Sequence, residues 1–120
     1  MLASVIDRVR AEHGLEPNAT LVNYYSGRDR IGWHADDEPT LASTTIVSLS
    51  LGEGRWFDVR PKGRTAAIRI KSGGEHLRGR LEDGDLIVMS GAMQARYKHR
   101  VPHARGDVGT RLNITFRQYR

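Results

Sequence analysis

The sequence predicts an all-β fold of double-stranded β-helix (jelly-roll) type, preceded by one short helix. Three observations carry this reading. Apolar residues fall at helical spacing only at the start, at Leu2, Val5, Ile6 and Val9. Beyond that stretch the pattern changes to short runs of period two, rich in Val, Ile, Thr, Tyr and Phe. Turn signals separate the runs: SGRD, GEG, PKG, SGG, EDGD and ARGD. About eight or nine short strands after one helix suit two packed antiparallel sheets. An immunoglobulin-like sandwich is the structural competitor, but no Cys-Trp-Cys core is available to it.

The chain of 120 residues fits a single domain, with the helix over residues 1–15 and the jelly-roll core over 19–119. A domain of this size buries roughly two-thirds of its unfolded surface, enough for one real core. Gly14 is placed to stop the helix in the left-handed conformation. The first strand is TLVNYYS (20–26), followed by IGWHA (31–35). In TTIVSLSL (44–51), Val47, Leu49 and Leu51 share one face, and Ile46, Ser48 and Ser50 share the other. The serines either leave room on a cavity wall or face water.

RWFDVRP (55–61) and AAIRIKS (66–72) flank PKG, and HLRGRL (76–81), DLIVMS (85–90) and YKHRV (97–101) follow. The last strand is RLNITFRQY (111–119). Tyr24, Trp33 and Trp56 read as strand packing, although either indole could also stack on a base. The basic run from Arg60 to Lys71 could track phosphates or form a solvated hairpin.

Composition narrows the function classes. There are no cysteines, which excludes a disulfide framework, a zinc ribbon and a cysteine nucleophile. No apolar run approaches the roughly 20 residues of a membrane span, and no signal peptide is visible. The expected location is cytoplasmic, or nuclear in a eukaryote, with no membrane partner and no secretion. Lysine plus arginine total 19 against 14 acids, a net charge of +5, and Lys62, Lys71 and Lys98 are the only lysines. An arginine-rich basic domain suits a polyanion, nucleic acid above all, though it can also be merely a soluble basic surface.

The chemistry is concentrated in four short segments. In WHADDE, His34 and Asp36 stand two apart and can converge on one point. A histidine and a carboxylate are two-thirds of the facial triad of a non-haem Fe(II) site, and H-x-D alone is weak evidence for one. The third ligand must come from elsewhere. His99 in YKHRV sits on a late strand, whereas His13, His76 and His103 read as non-ligands. In RLNITFR, Arg111, Asn113, Thr115 and Arg117 share one strand face and Leu112, Ile114 and Phe116 share the other. Two arginines on one strand face beside an apolar core face are costly unless an anion answers them. A dicarboxylate would do so.

NYY, WHADDE, YKHRV and RLNITFR, in this order, resemble the AlkB family of Fe(II)- and 2-oxoglutarate-dependent dioxygenases, in particular its members that repair alkylated nucleic acid. The resemblance runs from about Val22 to Arg117 and implies a site. His34, Asp36 and His99 would be the catalytic Fe(II) ligands, with 2-oxoglutarate as cosubstrate and dioxygen as oxidant. Arg111 would pair with the distal carboxylate and Arg117 would lie near the C1 carboxylate. Asn23 and Tyr25 would hydrogen-bond the cosubstrate, and Asn113 would take a structural or cosubstrate-side role. Glu38 would contact the damaged base, with Asp37 between it and the metal ligand.

The implied reaction is oxidative demethylation of N-alkylated bases such as 1-methyladenine and 3-methylcytosine in DNA or RNA, with formaldehyde, succinate and carbon dioxide released. The nucleic-acid-repairing members carry an N-terminal lid that grips the flipped nucleotide. This chain enters the core after one helix, so the lid is expected to be lacking from it, and single-stranded DNA or RNA is the expected partner. Two alternatives stand beside this: an oxygenase of a small molecule or protein, and a nucleic-acid-binding module with vestigial chemistry.

Overall fold

A computed structural model of the chain describes residues 2–62 and 77–120. The elements are α1 (Leu2–His13), β1 (Ala19–Tyr25), β2 (Ile31–His34), β3 (Ile46–Gly52), β4 (Arg55–Pro61), β5 (Leu77–Leu81), β6 (Leu86–Met89), α2 (Met93–Arg96), β7 (Tyr97–Val101) and β8 (Arg111–Arg117). The strands form two four-stranded sheets, ordered β1-β8-β3-β6 and β2-β7-β4-β5. Every pairing is antiparallel, and the chain passes back and forth between the sheets. This is the jelly roll that the period-two pattern predicted. Among the described residues no helix is long and apolar enough to cross a membrane.

Helix α1 seals the outer face of the first sheet. Val5, Ile6 and Val9 pack with Leu15 on Val47, Leu49, Leu51, Ile114 and Phe116. The helix ends where Gly14 takes φ 63°, a backbone conformation that disfavours other residues. Arg10 and His13 lie in its last turn and suit the negative end of the helix dipole. Because Val47 and Leu49 face the helix, the alternate residues Ile46, Ser48 and Ser50 face the space between the sheets, and all three are buried. The serines therefore line a cavity rather than meet water.

Three features differ from expectation. The four-residue helix α2 was not anticipated, being too short to show a periodic pattern. Strand β2 ends at His34, so Asp36 lies just beyond it in the loop. Of the aromatic residues expected to pack, Trp33 is half-buried but Tyr24 and Trp56 are exposed. Tyr24 is 63% exposed on β1, an edge strand, and Trp56 is 43% exposed. Trp56 lies under the guanidinium groups of Arg78 and Arg80, at 5.1 and 5.3 Å. Trp33 lies under those of Arg60 and Arg100, at 4.2 and 4.5 Å. Cation–π contact with arginines replaces full burial for these two indoles. The strand AAIRIKS, the SGG turn and His76 fall outside the described residues, as does the basic run beyond Lys62.

Between the indoles sits Asp58, fully buried under its neighbours. Register places it opposite Arg78 on β5 and Arg100 on β7. Arg78 donates through Nε and Nη2 at 2.6 and 3.0 Å, and Arg100 Nε donates at 2.9 Å. One carboxylate thus clamps three strands. Burial alone would raise its pKa, but the hydrogen bonds and charges of Arg78 and Arg100 outweigh burial and lower it. A carboxyl depressed in the folded state stabilises the fold above the unfolded carboxyl value of about 3.9, and that contribution is lost as pH falls through the folded value. Asp58→Asn should therefore destabilise the protein by on the order of 3 kcal/mol near neutrality. The urea midpoint of the variant should also fall less steeply than wild type below about pH 4. Parallel pH profiles would show that Asp58 does not carry this stability.

Candidate metal centre

A cavity of about 110 Å³ lies between the two sheets. The first sheet lends it Asn23 and Tyr25 from β1, Ser48 from β3, and Arg111, Asn113, Thr115 and Arg117 from β8. The second lends it Ile31 and His34 from β2, Phe57 from β4, Leu81 from β5, and His99 and Val101 from β7. One wall is thus polar and the other largely apolar.

Register brings the histidines together. His34 on β2 is the direct partner of His99 on β7, and their ring centroids are 4.2 Å apart. Asp36, one residue beyond the next position, turns back towards both. Its Oδ2 lies 3.3 Å from His99 Nε2 and 4.0 Å from His34 Nε2. One nitrogen or oxygen from each of the three residues falls within 4.8 Å of the others. Ligand atoms about 2.1 Å from a shared metal stand roughly 3 Å apart in cis positions, so the cluster is close to a closed ligand set.

The surroundings hold these three side chains in place. His34 Nδ1 lies 2.8 Å from the carbonyl oxygen of Gly32 and must donate to it, which leaves Nε2 as the basic nitrogen facing the cluster. The backbone N–H of Asp36 donates to Gln94 Oε1 at 2.7 Å, and Gln94 is itself buried on α2 with its amide directed to Met89 Sδ. Arg117 Nη2 approaches Asp36 Oδ1 at 3.3 Å. Burial would raise the pKa of Asp36. The hydrogen bond from His99 and the charges of Arg117, His99 and His34 override burial and hold it at about 2. Asp36 is therefore ionised at any physiological pH, as a metal ligand must be. His99 Nδ1 is buried without a partner. Two imidazole nitrogens and one carboxylate oxygen in a half-apolar cavity fit a divalent transition metal such as Fe(II).

The rest of the polar wall is strand β8. Arg111 is 2% exposed. Its Nη2 donates to Ser50 Oγ at 2.9 Å, and its Nε and Nη1 have no partner. Tyr25, directly opposite on β1, has its ring centroid 4.9 Å from the guanidinium carbon. Burial raises the Tyr25 phenol pKa, partly offset by Arg111 and Arg55. Asn113 is tied to β3, its Nδ2 donating to Ser48 Oγ and to the Leu49 carbonyl at 2.6 and 3.2 Å. Arg117 donates through Nε to Thr115 Oγ1 at 3.1 Å.

The acids behind Asp36 diverge. Asp37 is exposed and paired with Lys62 at 3.0 Å, away from the cavity lining. Glu38 stays near the cluster, 3.6 Å from Arg117 Nη1 and 3.4 Å from the Tyr119 hydroxyl. Of the residues singled out in the sequence, His34, Asp36, His99, Asn23, Tyr25, Arg111, Asn113 and Arg117 meet in one cavity, Glu38 is adjacent and Asp37 is not brought in. Gln94 and the serines of β3 complete the polar shell. The alternation of Ser48 and Ser50 signalled the serines in the sequence, but nothing local marked Gln94.

A family model, the 2OG-Fe(II) oxygenase superfamily, matches residues 1–117. The chain is also similar to curated proteins. The alpha-ketoglutarate-dependent dioxygenase alkB homolog 3 of Rattus norvegicus is 35% identical over 119 residues, covering 98% of this chain and 40% of that protein. The Homo sapiens protein of the same name is 35% identical over 119 residues, covering 98% and 42%. The DNA oxidative demethylase ALKBH2 of Bos taurus is 35% identical over 123 residues, covering 98% and 43%. The chain spans less than half the length of these relatives. A His-Asp-His cluster, a buried arginine on the last strand and a match along almost the whole chain agree: the chain belongs to the 2OG-Fe(II) oxygenase superfamily.

Proposed function

We propose that this chain is the catalytic core of a dioxygenase that removes N-methyl groups from nucleic-acid bases, with Fe(II), 2-oxoglutarate and dioxygen. The observation that carries the reading is a single cavity holding both the His34–Asp36–His99 cluster and a buried arginine with two unanswered donors. The first suits a metal. The second needs an anion, and 2-oxoglutarate supplies one at each end.

His34, Asp36 and His99 would hold Fe(II), leaving the side of the metal that faces the cavity for cosubstrate and dioxygen. The bound metal supplies oxidative chemistry, in which 2-oxoglutarate is decarboxylated to succinate and an N-methyl group is hydroxylated. The hydroxymethyl base then loses formaldehyde. The side chains orient and shield that chemistry. Arg111 would take the distal carboxylate on its free Nε and Nη1, and Asn23 and Tyr25 would hydrogen-bond the remaining cosubstrate oxygens. Arg117 would serve twice, fixing Asp36 and neutralising the C1 carboxylate. Asn113, whose amide hydrogens are already engaged, would hold β8 to β3. Phe57, Leu81 and Val101 keep water from the opposite wall.

Glu38 is the residue suited to the substrate. An exposed carboxylate beside Arg117 can accept a hydrogen bond from an exocyclic amine and favours a cationic ring, as in 1-methyladenine or 3-methylcytosine. Asp37, paired with Lys62, would set the path of the loop that carries Glu38. The basic surface supports a polyanionic substrate of DNA or RNA, and a base already unpaired avoids the few kcal/mol needed to extrude it.

His99→Ala should abolish turnover and weaken Mn(II), used as an inert stand-in, below detection in calorimetry; tight binding would show that His99 is not a ligand. Arg111→Ala should weaken 2-oxoglutarate by on the order of a hundredfold or more while metal affinity stays unchanged, since breaking a buried pair from one side costs about 3–5 kcal/mol. Formaldehyde release should be faster from a 1-methyladenine single strand than from the duplex, and should fall steeply with salt. Succinate without formaldehyde on either form would point to a different substrate.

A further inference from the structure

A second buried guanidinium lies beside Tyr25, a residue of the cavity lining, without itself lining the cavity. Arg55 opens strand β4 and is 2% exposed. All its hydrogen bonds go to backbone carbonyls. Nη2 donates to Asp29 and Pro102 at 2.6 and 2.7 Å, and Nη1 donates to Gly27 at 3.4 Å. No carboxylate lies within ion-pair distance of it, in contrast to Arg78, Arg100 and Arg117 among the described residues. Its guanidinium carbon is 5.7 Å from the Tyr25 ring centroid, and that of Arg111 is 4.9 Å from the same ring. Tyr25 thus lies near two buried cations, neither in an ion pair, and of the acids only Asp29 and Glu53 act on the charge of Arg55, from farther away.

Carbonyl oxygens satisfy the donors of Arg55, and Asp29 and Glu53 offset its charge only from beyond ion-pair distance. A buried cation without an ion pair is costly, and two near one phenol repel one another. A neutral side chain could tie three loop carbonyls without that cost. An anion arriving beside Tyr25 and Arg111 would give the charge a use. Arg111 presents its free donors there, and Tyr25 presents its hydroxyl.

We infer that Arg55 is a positioning residue for the distal carboxylate of the cosubstrate: it holds Tyr25 and the 27–29 and 102 backbone in place, and its charge adds to that of Arg111 to favour a 2-oxo acid with a second carboxylate. This rests on the proposed reading of Arg111 and extends it. Arg55 need not touch the ligand. At this range, in a partly shielded interior, one charge on another is worth about tenfold in affinity.

The experiment compares two ligands on Mn(II)-loaded protein by calorimetry: 2-oxoglutarate, and 2-oxobutanoate, which lacks the distal carboxylate. In wild type 2-oxoglutarate should bind far more tightly. Arg55→Gln keeps hydrogen-bonding capacity and removes the charge. It should weaken 2-oxoglutarate about tenfold and leave 2-oxobutanoate unchanged. Arg55→Lys keeps the charge and should hold the ratio of the two affinities within about threefold of wild type. Equal weakening of both ligands by Arg55→Gln would reduce Arg55 to a structural tie and overturn the inference, as would an unchanged ratio. Should the glutamine variant fail to fold, the lysine variant decides, since loss of the ratio with charge retained also overturns it. Arg111→Ala separates the two levels. If the preference for 2-oxoglutarate survives that change, the assignment of Arg111 fails, whatever Arg55 does.

Discussion

Strand β8 carries two guanidinium groups inward, into the space where a sandwich of this size would ordinarily place aliphatic side chains. That arrangement sets the rest of the site. Arg117 is answered within the protein by Asp36, which it holds in line with the two histidines. Arg111 is answered by one hydroxyl and is left with two free donors. The first arginine fixes a carboxylate of the candidate metal centre, and the second leaves two buried donors beside it. The cost is carried by the opposite face of the same strand, where Ile114 and Phe116 join the aliphatic cluster under α1.

The same division appears on the second sheet. Its inner face lends His34, His99 and Phe57 to the cavity, and its outer face is a layer of arginines on two indoles around one buried carboxylate. Asp58, which pairs in register with Arg100, fixes β7 from outside while His99 faces in from the adjacent position. The histidine is held by a strand that is itself clamped, so the register of the candidate ligands His34 and His99 is set by strand pairing. Asp36 is the exception, and Gln94 and Arg117 restrain it from two sides.

Much of this was legible in the sequence because strands repeat every two residues. RWFDVRP became β4 with the expected bounds, since GEG and PKG punctuate both ends. The alternation in RLNITFR divided β8 into its two faces, although the apolar one, read as the core face, packs under α1 while the arginines line the space between the sheets, and His34, Asp36 and His99 do converge. The sequence could not show what depends on three-dimensional neighbours. Trp33 and Trp56 read as core because an indole in a strand is usually buried, yet Trp33 is only half-buried, Trp56 is exposed, and arginines of the same sheet cover both. Gln94 lies on a helix too short to have a period. Asp37 and Glu38 are adjacent in sequence but diverge, one towards Lys62 and the other towards Arg117. The faces of β3 were open between cavity and solvent until the position of α1 decided them.

The central claim is that one cavity takes a metal and a dicarboxylate together, between the histidine cluster and Arg111. The most direct test is anomalous diffraction from crystals grown with Mn(II) and 2-oxoglutarate. The account predicts one manganese peak bonded to His34, Asp36 and His99, with the 2-oxo acid on the metal and its far carboxylate within hydrogen-bonding distance of Arg111. A manganese site elsewhere, or a ligand whose distal carboxylate turns away from Arg111, would contradict it.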